Sequence, residues 1–143
     1  DHYHLPGMKV LEFTVDLAGK RARDTSPDVT RQIVYTGTHD NATVVEWYES
    51  LTIPQRRKLR RYLKERGAVG GQVYQRMVRL ALMSRAELAV IPAQDVLGLG
   101  KEARMNLPGT VGAPNWQWRL KDFEALKKAM KPLARAIQET KRA

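Results

Sequence analysis

With 143 residues, 43% of them hydrophobic, and a formal net charge of +10, the chain is large enough for one domain with a buried core. Its basic character raises the question of an anionic partner. It has no cysteine, which excludes disulfide bonds and thiolate chemistry and fits a reducing, cytoplasmic setting. No apolar run approaches the roughly 20 residues that span a membrane, and no signal-peptide core precedes the first predicted strand, so we expect a soluble protein.

The first predicted element is a strand over residues 8–15, an apolar-rich run that follows a Pro-Gly turn and ends before Asp16. Upstream of it, His2 and His4 form a His-x-His pair, but the sequence has only one further histidine, and we expect no metal site. Residues 17–31 are polar and charged, which predicts a long loop. The loop leads into a second predicted strand at 32–35.

A polar turn, Thr-Gly-Thr-His-Asp-Asn at 36–41, separates the second strand from a helix expected to end near Leu51. Either Asp40 or Asn41 is expected to cap this helix, which puts His39 and Asp40 at the carboxyl end of the strand. In α/β architectures, catalytic side chains lie at that end. An ordinary capping residue beside a histidine that orients the turn is the commoner explanation, so the spacing alone is a weak signal.

Two helices are predicted next, one beginning near Thr52 with Pro54 in its first turn, the other over 72–86. A short strand at 88–92 follows, with Gln94 and Asp95 at its carboxyl end. Strands that alternate with helices in this way predict parallel βα units. A last helix, expected to bend at Pro132, has its apolar positions predicted to face inward at Phe123, Leu126, Met130, Leu133 and Ile137.

Two segments near the carboxyl end carry possible binding features. The glycines at 98–109 lack the Gly-Lys-Ser/Thr ending of a phosphate loop, which excludes that motif. Trp116 and Trp118 stand two residues apart, and this spacing leaves two interpretations open. The indoles either pack against the core, which is commoner, or stack on sugar rings and cover a site.

Five motifs in register resemble the carboxyl-terminal part of the 4-alpha-glucanotransferases, also called amylomaltases or disproportionating enzymes. They cover nearly the whole chain, and their order makes the resemblance specific. The motifs are Leu-Pro-Gly-Met-Lys-Val-Leu at 5–11, Val-Tyr-Thr-Gly-Thr-His-Asp-Asn at 34–41, Ile-Pro-Ala-Gln-Asp-Val-Leu-Gly-Leu-Gly at 91–100, Glu-Ala-Arg-Met-Asn-Leu-Pro-Gly-Thr at 102–110 and Asn-Trp-Gln-Trp-Arg at 115–119.

The resemblance implies an α/β fold that is the carboxyl-terminal part of a (β/α)8 barrel, with strands six to eight at 8–15, 32–35 and 88–92. Residues 1–143 would then be one segment of a single catalytic domain, with no internal boundary and incomplete on its own. Such enzymes transfer α-1,4-glucan segments between maltooligosaccharides through a covalent glycosyl-enzyme, without cofactor or metal. The resemblance implies that the nucleophile and the acid/base lie upstream, so the segment alone is expected to be inactive.

Four residues of this chain match functional positions of the family. Asp40 matches the carboxylate thought to stabilise the oxocarbenium-like transition state, and His39 matches its neighbour on the same sugar. Asp16 and Asn106 match positions that contact substrate. The chain departs from the family pattern in its short 17–31 loop and at Ala42 and Glu46, which bears on loop closure and substrate size more than on the chemistry.

A free-standing basic module that binds nucleic acid or another anionic partner is the alternative function. The basic residues concentrate on two predicted helical segments, 56–66 and 121–142, where apolar residues occupy the buried positions. That arrangement is typical of solvated helix faces. No aromatic residues alternate with the basic residues, as they would in a platform that binds single-stranded nucleic acid. We therefore expect glucans rather than nucleic acid as the partner.

Overall fold

The structure is a computed structural model that describes residues 5–142 of the chain. The paired histidines at the amino terminus lie outside the described residues. The elements in chain order are β1 (Gly7–Val10), α1 (Leu11–Thr14), β2 (Val15–Asp16), β3 (Arg23–Asp24), β4 (Gln32–Tyr35), α2 (Val44–Ser50), α3 (Ile53–Glu65), α4 (Val73–Met83), β5 (Leu88–Val90), α5 (Ala93–Leu97), a 3-10 turn (Lys101–Ala103) and α6 (Phe123–Glu139).

A three-stranded parallel sheet in the order β1-β4-β5 is the centre of the fold. The central strand pairs on both sides, with Val34 opposite Lys9 on β1 and opposite Ala89 on β5. All three strands therefore end at the same edge of the sheet. The predicted parallel βα arrangement is confirmed.

The predicted strand over 8–15 is wrong in its second half. The pairing of β1 with β4 ends where Val10 stands opposite Tyr35, the last residue of β4. Beyond that point β4 offers no further strand positions, and the chain closes the helical turn α1 instead. The predicted loop at 17–31 also contains structure, because β2 forms a short antiparallel pair with β3.

The two faces of the sheet differ in how they are covered. Val34 is fully buried and Ala89 packs against the same hydrophobic cluster, which the helices complete with Val44, Leu59 and Met77. The residues beside them on each strand point the other way. On that opposite face Met8 is 61% exposed, Leu88 52% and Val90 37%. The helices thus cover one face, and the described chain leaves Met8, Leu88 and Val90 on the other face largely in solvent, although Val10 at the end of β1 is buried.

Helix α3 begins as predicted. Thr52 is its N-cap and forms a reciprocal capping box with Gln55, with Pro54 in the first turn. Its inward face carries Leu59, Tyr62 and Leu63, which are buried.

Several basic side chains on α3 make hydrogen bonds or ring contacts within the protein. Arg56 donates to the backbone oxygens of Tyr48 and Leu51, at 3.1 and 3.0 Å, and its guanidinium lies over the Tyr48 ring. Lys58 donates to the carbonyl oxygen of Leu17 at 3.0 Å. These side chains are therefore committed to holding the helix against neighbouring loops.

Helix α6 does not bury its apolar positions as predicted. The helix runs continuously through Pro132, but Phe123 is 67% exposed and Met130 45%, and none of its residues is buried. Its main neighbours in the described chain are α4 and α5, and they leave Phe123 and Met130 exposed. Among residues 5–142, no helix is both long and apolar enough to cross a membrane.

Candidate active site

The turn between β4 and α2 is held at both ends by one carboxylate. Asp95, in the first turn of α5, accepts from Thr36 Oγ1 at 2.5 Å and from the Val44 backbone N at 2.9 Å. Its side chain is almost fully buried, 2% exposed. Burial raises the pKa of Asp95, while its bonds to Thr36 and Val44 act in the opposite direction. Asp95 thus fixes where the 36–43 segment leaves the sheet and where it enters the helix.

The predicted cap of α2 is wrong. Thr43 is the N-cap, and its Oγ1 accepts from the Glu46 backbone N at 3.2 Å. Asn41 instead closes the turn, since its Oδ1 accepts from the backbone N and the Oγ1 of Thr38, both at 2.8 Å. The sequence offers three side chains of cap chemistry in four positions, and the one nearest the helix fills the role. The Asp40 carboxylate is consequently left for another partner.

Asp40, His39 and Asn106 meet at the carboxyl edge of the sheet, as expected for a site at strand ends. Asn106 Nδ2 donates to Asp40 Oδ1 at 2.7 Å, and the Asn106 backbone N donates to the His39 carbonyl oxygen at 3.1 Å. His39 Nε2 lies 3.4 Å from the same Asp40 Oδ1. The Asp40 and His39 side chains are 48% and 57% exposed, so both remain open to a ligand.

Arg104 connects this cluster to helix α2. Its Nη2 donates to the Asp40 carbonyl oxygen at 3.1 Å and its Nε to the Asn106 carbonyl oxygen at 3.0 Å. Its Nη1 lies 3.4 Å from Glu46 Oε1. No local sequence pattern assigns Arg104 a role, because its partners Asp40 and Glu46 lie 64 and 58 positions away.

The two tryptophans have different surroundings. Trp116 is 55% exposed, and its ring centroid lies 5.1 Å from that of His39. Its backbone has a positive φ of 62°, which is rare for a bulky residue, and its N donates to the Met105 carbonyl oxygen at 2.7 Å. This arrangement favours the site-covering interpretation for Trp116. Trp118 is half-buried and lines an open groove of about 1320 Å³ that Asn106 also lines, so packing and sugar stacking both stay open for it.

Asp16 is not brought into this cluster by the described contacts. Its Oδ2 accepts from Arg23 Nε at 2.9 Å and its Oδ1 from the Ala18 backbone N at 2.8 Å. The Ala18 amide, then the Arg23 guanidinium, hold the pKa of Asp16 below its ordinary value. Within residues 5–142 these contacts give Asp16 a role in the β2–β3 hairpin. Its contact with substrate stays a prediction.

Glu12 is a buried carboxyl group that sequence reasoning missed. It lies in α1 with 8% exposure, and a Cβ at Gly37 would stand 2.9 Å from its Oε1, so the glycine makes room for it beneath the turn. Burial, then the charge of Asp95, raises the pKa of Glu12 to about 9 against the opposing effect of Arg104, with Glu46 adding to the rise. The only sequence signal was an acidic residue within an apolar run.

The cluster suits recognition of a polyhydroxylated ligand. A carboxylate, an imidazole and an amide on one exposed edge can hydrogen-bond adjacent hydroxyl groups, and the carboxylate can stabilise a positive charge that develops beside it. In the described part of the chain, no group of three or more His, Cys, Asp or Glu side chains is arranged to hold a metal ion.

Comparison with known proteins assigns this chain to a family. The family model described as 4-alpha-glucanotransferase matches residues 1–126. The 4-alpha-glucanotransferase of Thermus thermophilus is 43% identical over 125 residues, which cover 84% of this chain and 25% of that protein. The enzyme of the same name from Synechocystis is 43% identical over 121 residues, 83% of this chain and 23% of that protein.

A solved structure agrees with the sequence relatives. The amylomaltase from Streptococcus agalactiae, in complex with acarbose, superposes with a TM-score of 0.83 at 29% identity, over 99% of this chain and 28% of that one. The chain therefore spans about a quarter of the length of the relatives that it matches.

The neutral form of Glu12 makes a prediction about stability and pH. The folded state keeps a proton up to a pKa of about 9, whereas the unfolded chain releases it near the ordinary glutamate pKa of 4.5, so rising pH between these values favours unfolding. We expect urea midpoints to fall between pH 5 and pH 9, which corresponds to a loss of a few kcal/mol, roughly, in the free energy of unfolding. Glu12→Gln should flatten this fall, and Glu87→Gln at an exposed site should not. An equal slope in Glu12→Gln would refute the buried neutral carboxyl.

Proposed function

Because this chain belongs to the 4-alpha-glucanotransferase family, we propose that it is the carboxyl-terminal part of a glucanotransferase that moves α-1,4-glucan segments between maltooligosaccharides. The observation that carries the proposal is the hydrogen-bonded pair of Asp40 and Asn106, with His39 beside it, at the carboxyl end of the central parallel strand. In barrel enzymes the chemistry lies at that end.

In this proposal Asp40 stabilises the transition state of a retaining reaction. The sugar at the broken bond gains positive charge and flattens as the bond lengthens. A fixed carboxylate stabilises that transition state more than the neutral ground state, and this lowers the barrier. The bond from Asn106 fixes one oxygen of Asp40 and leaves the other for the ligand.

His39 acts on the same sugar as Asp40. Its ring is exposed and lies between the Asp40 carboxylate and the Trp116 ring, which is tilted by 41° to it, and these neighbours limit its orientations. A ring nitrogen so placed offers a hydrogen bond to a hydroxyl group adjacent to the one that Asp40 binds. Asn106 can touch the substrate as well, whereas the proposed contact of Asp16 rests on the family resemblance alone.

The three parallel strands are proposed as strands six to eight of a (β/α)8 barrel. The apolar side chains of Met8, Leu88 and Val90 on the uncovered face of the sheet support this, because strands of a closed barrel direct such residues into a packed interior. Phe13, 68% exposed just beyond β1, fits the same explanation. The upstream part of the domain would supply the opposing strands, the nucleophile and the acid/base.

A basic module for nucleic acid receives less support. On α3 and at its C-cap, Arg56 and Lys58 donate to backbone carbonyl groups, and the guanidinium groups of Arg60 and Arg66 lie over tyrosine rings, at 5.7 and 4.6 Å from the centroids. Basic side chains that make these contacts are poorly placed to bind the phosphate groups of a nucleic acid. A cytoplasmic location stays a prediction from the sequence.

The first test replaces the proposed stabilising carboxylate in the complete enzyme. Asp40→Asn should reduce kcat for maltotriose disproportionation by roughly 10²- to 10³-fold, the scale of losing one electrostatic group, whereas His39→Ala should cost roughly 10-fold. Asp28→Asn is the matched control, since Asp28 accepts from the Arg85 amide at the amino-terminal side of β5. An Asp40→Asn enzyme with near-normal turnover would refute the proposed role.

The second test asks whether the catalytic set is complete within the chain. Residues 1–143 alone should show no transfer or hydrolysis of maltotriose, because a retaining reaction needs a nucleophile and an acid/base about 5 Å apart in addition to a stabilising carboxylate. Addition of the upstream part as a separate polypeptide should restore activity if the two parts assemble. Turnover by the chain alone, after exclusion of contaminating enzyme, would contradict the proposal.

A further inference from the structure

We propose that Arg104 is the positioning residue of this site, which holds Asp40 and Asn106 at the separation needed to bind one sugar ring. Arg104 lies just after the 3-10 turn, and its guanidinium group spans two segments that are 66 positions apart in the sequence. The proposal rests on the function proposed above and extends it to a residue with no assigned role.

The contacts of Arg104 are arranged for this task. Nη2 binds the carbonyl oxygen of Asp40 and Nε that of Asn106, so a single planar group fixes the backbone of both members of the pair. Their side chains then meet at 2.7 Å. A displacement of either backbone by about 1 Å would break that bond, and errors of this size cost up to roughly 100-fold in rate.

Glu46 holds the remaining edge of the guanidinium. Its Oε1 lies 3.4 Å from Nη1, and both side chains are largely buried, at 19% and 21% exposure. The ion pair therefore aligns Arg104 from helix α2, the helix that follows the His39 and Asp40 turn. Arg104 is thus tied to α2, the helix whose first residue is held by Asp95.

Lysine cannot replace this geometry. Arg104 uses three different nitrogens of a rigid fork toward three partners in different directions. A lysine ammonium has one nitrogen on a flexible stem and cannot reach all three positions at once. Arg104→Lys keeps the charge and removes the alignment, which separates positioning from electrostatics.

The chain contains a matched control for this substitution. Like Arg104, Arg142 uses three guanidinium nitrogens, here to donate to the backbone carbonyl groups of Leu82, Ser84 and Ala86 at and beyond the end of α4, remote in sequence from the turn and from Asn106. Arg142→Lys removes a comparable multidentate contact and therefore reports the general cost of losing such an arginine.

The experiment measures maltotriose disproportionation by the complete enzyme. We expect Arg104→Lys to lower kcat by about 10- to 100-fold and to change KM by less than about threefold, because misplacement of Asp40 weakens binding of the transition state more than of the substrate. Arg142→Lys should leave both within about twofold. A loss confined to KM would mean that Arg104 binds substrate directly, and normal kinetics would mean that it does not position the pair; each overturns the proposal.

A double-mutant cycle tests whether Arg104 acts through Asn106. If it does, Arg104→Lys combined with Asn106→Ala should lose at least about fivefold less activity than the product of the single losses, whereas Arg142→Lys should combine with Asn106→Ala multiplicatively. Multiplicative losses for the Arg104 pair would overturn the proposal. If Arg104→Lys fails to fold, Glu46→Gln replaces it in the same cycle, with the same coupling expected.

The activity of the unsubstituted enzyme distinguishes failure of the proposed function from failure of the positioning role. An inactive complete enzyme refutes the proposed function itself. An active enzyme whose kcat is insensitive to Arg104→Lys refutes only the positioning role.

Discussion

The buried carboxylate of Asp95 is the constraint on which the rest of the site depends. It accepts from Thr36 at the end of β4 and from Val44 at the start of α2, and so fixes both ends of the turn that carries His39 and Asp40. Loss of one partner of such a buried group leaves an unsatisfied charge or donor, which is costly. A loop that presents two exposed side chains is therefore anchored in the least accessible part of the fold.

A second layer of contacts converts this fixed turn into a site. Arg104 holds the backbones of Asp40 and Asn106, and the Asn106 amide then restrains the Asp40 carboxylate. Glu12 fills the space beneath Gly37, and burial keeps this carboxyl neutral at ordinary pH, so it adds no further negative charge under the turn. The exposed side chains of the site are thus supported by buried side chains whose positions and protonation states are set by packing.

The location of His39 and Asp40 at a strand end was predictable, because strand, polar turn and helix can be read from local patterns. The cap was not, since Asp40, Asn41 and Thr43 have equivalent chemistry and only the path of the chain selects among them. The role of Asp95 required contacts 51 and 59 positions away, which no local pattern contains. The apolar positions of α6 can be read from their spacing, but the prediction that they are buried is wrong at Phe123 and Met130, because the sequence does not state which surface covers them.

We propose that Asp40 and His39 hold one sugar ring in an arrangement that Asn106 and Arg104 maintain. The most direct measurement is a crystal structure of the complete enzyme with a non-cleavable maltooligosaccharide analogue bound. We predict hydrogen bonds from Asp40 and His39 to adjacent hydroxyl groups of one sugar, with Asn106 still on the Asp40 carboxylate at about 2.7 Å. An analogue seated across the catalytic centre without contact to Asp40, or an Asp40 carboxylate turned away from Asn106, would contradict the account.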